Sequence, residues 1–359
     1  MAGGTGGHVI PALAVAGALA EEGFDVLWLG TRAGLEARLV PEAGFEIVWL
    51  DIGGLRGKSL GTRLRAPLRL VRAVGQAWKV IRRRAPVLAV GMGGYASGPG
   101  GVAALLAGVP LVIHEQNAVA GLTNRLLSRL AARVLSAYPQ VFHVPNEVVG
   151  NPVRESITSL PPPEERFADR SGPLRVLIIG GSLGAAALNR LVPEALALWS
   201  REVPLHIVHQ CGPRHVETAE AAYQAYPPAE GSTCEVVAYL DDMSAAYAQA
   251  DLVIARAGAL TVAEIAAAGL PSVLVPFPHA VDDHQAANAG LLVEAEAALM
   301  IRQDALEPSS LAGTLRERFS DREALLRMAV RARGQASPQA LEVMVAHCLA
   351  VIDEREVAA

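Results

Sequence analysis

Short apolar runs alternate with Ala- and Leu-rich segments of helical length along almost the whole chain. Runs that read as buried strands fall at 26–29, 47–50, 87–90, 111–114, 134–136, 176–179, 206–209, 235–238, 252–255 and 272–275. Strands of this length, continuously apolar and separated by helix-length segments, predict parallel sheets with helices on both faces. The pattern restarts midway. A glycine-rich loop opens the chain at 3–7, and a second follows a strand at 180–184. Between them, Pro161, Pro162 and Pro163 stand in a charged stretch with the composition of a linker. The reading is two Rossmann-like domains, 1–151 and 173–335, joined by a linker over 152–172. A final helix in 336–359 has Ser337 as N-cap and Pro338 at its first position. Its stripe of Leu341, Val345, Cys348 and Ile352 is suited to packing back on the first domain. Only Met1 and Ala2 precede the first glycine loop, so the central strand expected before it is missing.

Composition narrows the class. The chain has 359 residues, 52% hydrophobic but only 4% aromatic, which suits close-packed α/β layers. No apolar run approaches the roughly 18 residues of a membrane span, and no signal-peptide pattern opens the chain. Cys211, Cys234 and Cys348 form no CxxC pair and fit a reducing compartment. A formal charge of −5 speaks against a general nucleic-acid binder. The average hides an asymmetry. No Asp or Glu occurs from Ile52 to His114, while the stretch from Arg56 to Arg84 carries ten Arg and Lys. Within it Leu64, Leu68, Val71, Trp78 and Ile81 recur at helical spacing, flanked by Arg65, Arg69, Arg72, Lys79 and Arg83. A basic stripe beside an apolar one reads as a docking face for an anionic membrane. An ordinary surface helix explains the apolar stripe alone.

Six segments carry candidate chemistry. Gly3-Gly4-Thr5-Gly6-Gly7-His8 leads into a helix expected near Pro11. Its glycines suit either a tight turn or an anion held by backbone N–H groups. A second glycine loop, Gly91 to Gly101, follows a strand and includes Tyr95 and Ser97. His114-Glu115-Gln116-Asn117 ends the next strand, where α/β sites form, though a satisfied structural network competes at about even odds. In the second half, Gly180-Gly181-Ser182-Leu183-Gly184 opens a helix. Arg256 to Glu264 follows a strand, with Arg256 suited to offset a diphosphate. There Thr261-x-x-Glu264 has capping-box spacing, which competes with a ribose-binding role for Glu264. Asp282, Asp283 and His284 are more often helix N-terminal charge partners than metal ligands. With no Asp-x-Asp motif, no essential metal is expected.

Taken in order, AGGTGGHVIPALAVA, LRGKSLGTRLRAPLR, GMGGYASGPGG, IHEQNAVAGLTNR, GNPVR, GGSLGA, ARAGALTVAEI and PFPHAVDDHQAANA resemble the MurG-type transferases, which glycosylate lipid I to make lipid II. The resemblance runs from residue 2 to the last helix. It implies a GT-B fold, in which two Rossmann-like domains with parallel sheets face each other across a cleft. The donor is then UDP-N-acetylglucosamine and the acceptor lipid I, on the cytoplasmic side of the membrane. No cofactor is implied, and cell-wall and division-complex proteins enter as further partners. Carried onto this chain, the resemblance assigns Arg154 and Ser182 to the donor diphosphate, with Arg256, Leu260 and Thr261 beside it. Glu264 takes the ribose hydroxyls, against its capping-box reading. Gln285, His284 and Asn117 take the sugar, and Thr5, Gly6 and Gly7 also fall to the donor. The acceptor falls to Gly4, His8, Gly93, Gly94, Tyr95, His114 and Glu115, with His8 as the base of an inverting transfer. Leu64, Arg65, Leu68, Arg69, Arg72 and Trp78 meet the membrane. Two positions depart from the family: Leu183 and His284 stand where its members commonly or sometimes have Gln. Competing classes are a UDP-sugar 2-epimerase or another lipid glycosyltransferase, a nicotinamide dehydrogenase and an inactive membrane scaffold. An epimerase leaves the basic stretch unexplained, and the first loop lacks the preceding strand and glycine spacing of a dehydrogenase.

Overall fold

The computed structural model describes residues 1–53, 66–180 and 185–358. The chain forms two compact units, Met1–Val153 with Ser337–Ala359, and Arg154–Ala336. In the second unit, β7 (Leu174–Ile179), β8 (Leu205–Gln210), β9 (Thr233–Val237), β10 (Leu252–Ala255), β11 (Ser272–Leu274) and β12 (Ala298–Met300) make one sheet. Its order is β12-β11-β10-β7-β8-β9, and every pairing is parallel. β10 and β11 are buried at every position and β7 at all but Arg175, as a sheet covered on both faces requires. β7 and β10 are neighbours, yet the chain leaves them toward opposite edges. Their C-terminal ends therefore flank the crevice where such sheets bind ligands.

The first unit holds two parallel sheets. One pairs β1 (Leu27–Gly30) with β2 (Glu46–Trp49). The other runs β3 (Ala89–Gly91), β4 (Leu111–Glu115), β5 (Arg133–Ser136), β6 (Glu147–Val148). Met1 bonds along β3: its amine donates to Val90 O at 2.8 Å, and its carbonyl accepts from Met92 N at 2.9 Å. On the other side the Trp28 indole donates to Ala2 O at 3.0 Å. Ala2 lies in a core built with Val9 and Val15 of the helix Gly6–Glu21 and Met344 and Cys348 of the helix Ala340–Ala358.

All ten expected strands are present, within two residues at their ends. β6 and β12 were not expected; both are edge strands of two or three residues, too short to show a pattern. The first helix begins at Gly6, not near Pro11, which is buried inside it. The last begins at Ala340, three residues after Ser337. The segment 152–172 is more than a linker: Glu155–Thr158 and Pro163–Ala168 are short helices, with Ile157 and Phe167 buried in the second unit. No helix among the described residues is long and apolar enough to cross a membrane.

Of the basic stretch, Ala66–Arg84 is helical. Ala73, Ala77 and Ile81, spaced by four, form its buried face, so Ile81 leaves the expected exposed stripe. Leu68 and Val71 stay 73% and 68% exposed, and Trp78 40%. Leu64 and Arg65 lie outside the described residues. Acids from just before the acid-free interval fold back on this helix: Arg72 pairs with Asp51 at 3.5 Å and Arg84 with Glu46.

Candidate functional site

The helix Ala259–Ala268 follows β10 at the switch point of the second sheet. Gly258, in extended backbone, is its N-cap, which makes Thr261 the third helical residue. No side chain caps this helix, so the capping-box reading of Glu264 fails. Glu264 instead sits on the buried face, its side chain 7% exposed. Arg154 Nη2 donates to its Oε1 at 3.0 Å, and Tyr247 Oη donates to its Oε2 at 3.1 Å. Burial pushes the Glu264 carboxyl up, and the Arg154 charge opposes that shift. Burial and the neighbouring Glu264 raise the Tyr247 phenol well above its ordinary value. Arg154 therefore holds the carboxylate through Nη2, on a side chain that stays 39% exposed. Leu260 is buried in the core, leaving only its backbone for a ligand, and Thr261 is half-buried.

Arg256 is engaged by its own unit. Its Nη1 donates to Val275 O at 3.1 Å and Pro276 O at 3.2 Å, its Nη2 to Gln303 Oε1, and it stacks on Phe277. It braces the loop after β11. The same loop is tied by Gln285, whose Oε1 accepts from Phe277 N at 2.8 Å. Gln285 therefore has its amide N–H₂ to offer a sugar. His284, half-buried, opens the helix His284–Glu294. Ahead of it Asp282 and Asp283 both hold φ near +50°, costing about 1–3 kcal/mol each and marking a strained entrance to this helix. Asp283 pairs with Arg302 at 2.7 Å, and no metal-holding cluster occurs among the described residues. Ser182 lies outside the described residues.

In the first unit the two glycine loops meet. A β-carbon at Gly94 would lie 2.1 Å from Gly3 O, and one at Gly93 would lie 2.7 Å from His8 Nδ1. Both residues have φ above +80°, so glycine is required twice over. Thr5 is the N-cap of the helix Gly6–Glu21, and Gly6 and Gly7 form its first turn, where N–H groups point outward. Gly4 faces inward: its N–H donates to Glu36 Oε2 at 2.8 Å and its carbonyl accepts from Leu35 N at 3.1 Å. The Gly4 N–H is thus unavailable to an acceptor diphosphate. Glu36 is wholly buried and also accepts from Thr31 N and Thr31 Oγ, at 3.0 and 2.7 Å. Sequence reasoning missed it.

His8 is half-buried, with Nδ1 3.0 Å from Gln116 Oε1. Gln116 Nε2 donates to Met92 O at 3.1 Å, which fixes the orientation of its amide. The amide oxygen then faces Nδ1, so Nδ1 carries the proton and Nε2 keeps the basic lone pair. Gln116 is fully buried; the sequence places it in a candidate polar segment without an individual role.

His114 and Glu115 do not face an acceptor. His114 is 0% exposed, its Nε2 donates to Gly150 O at 2.8 Å, and burial pulls its pKa down to about 4. Glu115 accepts from Asn117 N, Asn117 Nδ2, Gly121 N and Asn124 Nδ2, all within 3.1 Å. It shapes the turn that presents Asn117, which is half-buried. Tyr95 is 51% exposed on the second glycine loop.

Residues 1–136 match the glycosyltransferase family 28 N-terminal domain, and residues 175–344 match the family 28 C-terminal domain. The chain belongs to glycosyltransferase family 28. Among its family relatives, a protein of Ralstonia nicotianae is 52% identical over 98% of this chain and 95% of its own length. That relative is named UDP-N-acetylglucosamine–N-acetylmuramyl-(pentapeptide) pyrophosphoryl-undecaprenol N-acetylglucosamine transferase. The crystal structure of Acinetobacter baumannii MurG is 43% identical, with a TM-score of 0.84 over 97% of this chain and 98% of its own. A putative UDP-N-acetylglucosamine 2-epimerase of Listeria monocytogenes reaches a TM-score of 0.66 over 98% of this chain and 95% of its own, at 16% identity. The epimerase shares the fold alone. This family 28 chain is a glycosyltransferase with the GT-B architecture of two parallel-sheet domains.

Proposed function

We propose that the chain moves N-acetylglucosamine from UDP-N-acetylglucosamine to the C4 hydroxyl of N-acetylmuramic acid in undecaprenyl-pyrophosphoryl-N-acetylmuramyl-pentapeptide. This is the lipid I to lipid II step of peptidoglycan synthesis. The observation that carries the reading is the 52% identity to the transferase of that name across 98% of the chain. His8 supplies the base: its Nε2 takes the acceptor hydroxyl proton as the oxygen attacks the anomeric carbon. The bond from that carbon to UDP breaks in the same inverting step, and UDP leaves with the electron pair. In the second unit Glu264 takes the ribose hydroxyls, and Gln285 takes the sugar through its amide N–H₂. Ser182 and the start of the helix Ala259–Ala268 serve the diphosphate. No metal takes part. In the first unit Gly93 and Gly94 offer backbone to the acceptor diphosphate, with Tyr95 next to them on the same loop.

The exposed Leu68, Val71 and Trp78, with Arg69, Arg72 and Lys79, support docking on an anionic membrane surface by reversible adsorption. A water-soluble lipid I analogue tests the whole reading. Release of UDP together with a β-1,4-linked disaccharide product, undiminished by excess chelator, is the expected result. UDP release without a disaccharide sinks the reading, and activity lost to chelator and restored by Mg²⁺ sinks its metal independence.

A further inference from the structure

Tyr247 lies 17 residues before Glu264 and has no exposed surface. It belongs to the helix Met243–Gln249, whose N-cap Asp242 accepts from Ala245 N at 2.9 Å. That cap sets the helix, and burial sets the ring, so the phenol can aim its hydroxyl in one direction only. The hydroxyl points at Glu264 Oε2, 3.1 Å away. The phenol stays protonated under all ordinary conditions, because burial and the neighbouring carboxylate both oppose its ionisation. It is therefore always a donor to Glu264.

A carboxylate offers about four lone-pair positions, two on each oxygen. Arg154 takes one on Oε1 and Tyr247 takes one on Oε2. One acceptor position per oxygen is left, in a side chain that keeps 7% of its surface open. That is the acceptor pattern complementary to two adjacent hydroxyls. The two holders differ in rigidity. Arg154 comes on a long side chain that is 39% exposed, and its buried Nε has no hydrogen-bond partner. Tyr247 is immobilised in the core and is the fixed point of the pair.

We propose that Tyr247 is a positioning residue for donor recognition, its buried hydroxyl fixing the plane of the Glu264 carboxylate so that both oxygens accept from a ribose cis-diol. This rests on the reading that Glu264 takes the ribose hydroxyls. Tyr247 touches no substrate. Its loss costs discrimination for the diol and spares the rest of nucleotide binding.

The test compares UDP with 2′,3′-dideoxy-UDP by calorimetry on the full chain, in the parent, Tyr247→Phe and Glu264→Ala. The parent is expected to prefer UDP by about 100-fold, roughly tenfold for each of two hydroxyls bonded to a charged group. Tyr247→Phe should cut that preference by about tenfold, the lower end of the worth of one hydrogen bond to a charged group. Its affinity for the dideoxy nucleotide should stay within about twofold of the parent. Glu264→Ala should abolish the preference. If Tyr247→Phe weakens both nucleotides equally, or leaves the preference intact while Glu264→Ala removes it, Tyr247 is only a core residue and the proposal is overturned. If Glu264→Ala keeps the parent preference, the ribose assignment itself falls and takes the proposal with it.

Discussion

Acid stability offers a quantitative check on the second unit. His209 in β8 is fully buried between two polar neighbours. Its Nε2 is 3.0 Å from Asn189 Oδ1, and its Nδ1 is 3.0 Å from Tyr223 Oη. The Asn189 amide is oriented by its own bond to Cys211 O, so Nε2 carries the proton and Nδ1 accepts from the phenol. The neutral ring is fully satisfied, and burial pulls its pKa from 6.5 down to about 4. The unfolded chain therefore binds the extra proton first. Stability contributed by this group is complete above about pH 6.5 and is lost as pH falls toward 4. The full loss is about 3 kcal/mol. Between about pH 7.5 and pH 5.5 the same linkage gives roughly a tenfold change in opening equilibrium. Amide hydrogen exchange over β7 to β9, corrected for intrinsic rates, reads that opening in this unit alone. Protection should fall about tenfold further in the parent than in His209→Gln over this interval. Equal pH dependence in the two proteins would refute the assignment of a neutral buried ring, whatever the absolute stability of the variant.

Three further outcomes follow from the first unit. Gln116→Leu frees His8 to hold its proton on either nitrogen, so kcat should drop about tenfold, the scale of one lost hydrogen bond, with donor KM unchanged; an unchanged kcat would remove Gln116 from the machinery. Glu36→Gln leaves the Gly4 N–H or Thr31 without its acceptor, costing about 1–3 kcal/mol of stability. It should raise acceptor KM more than donor KM, and equal effects would show that the loop it anchors does not serve the acceptor. Reversing the charge of Arg69, Arg72 and Lys79 together should abolish flotation with anionic vesicles at physiological salt, each charge being worth about 1 kcal/mol; continued flotation would place the docking face elsewhere.

Much of the fold could be read along the chain because buried parallel strands announce themselves as apolar runs. The glycine loops were equally plain as runs of glycine, and at Gly93 and Gly94 both the positive φ and the lack of space require it. What spacing could not supply were partners remote in sequence. Gln116 earns its role from His8, 108 positions away, and Glu36 from Gly4, 32 away. Polar runs at strand ends misled for a related reason. His114 and Glu115 look like site residues in sequence, yet one turns inward to Gly150 and the other collects the N–H groups of its own turn. Thr261-x-x-Glu264 has the right spacing for a capping box, but Gly258 starts the helix three residues early. The acid-free interval was real in sequence and not in space, because Asp51 and Glu46 return to Arg72 and Arg84.

The floor beneath His8 is made of main chain. At Gly94 a single methyl would collide with the Gly3 carbonyl at 2.1 Å, and at Gly93 with the His8 ring at 2.7 Å. A surface of this kind cannot be edited by point mutation, because every substitution destroys the shape it would alter. An inhibitor that draws its affinity from these backbone groups would leave the organism little room to select resistance there. Escape would have to arise at side chains around the rim, with Tyr95 the most exposed of those assigned to the acceptor.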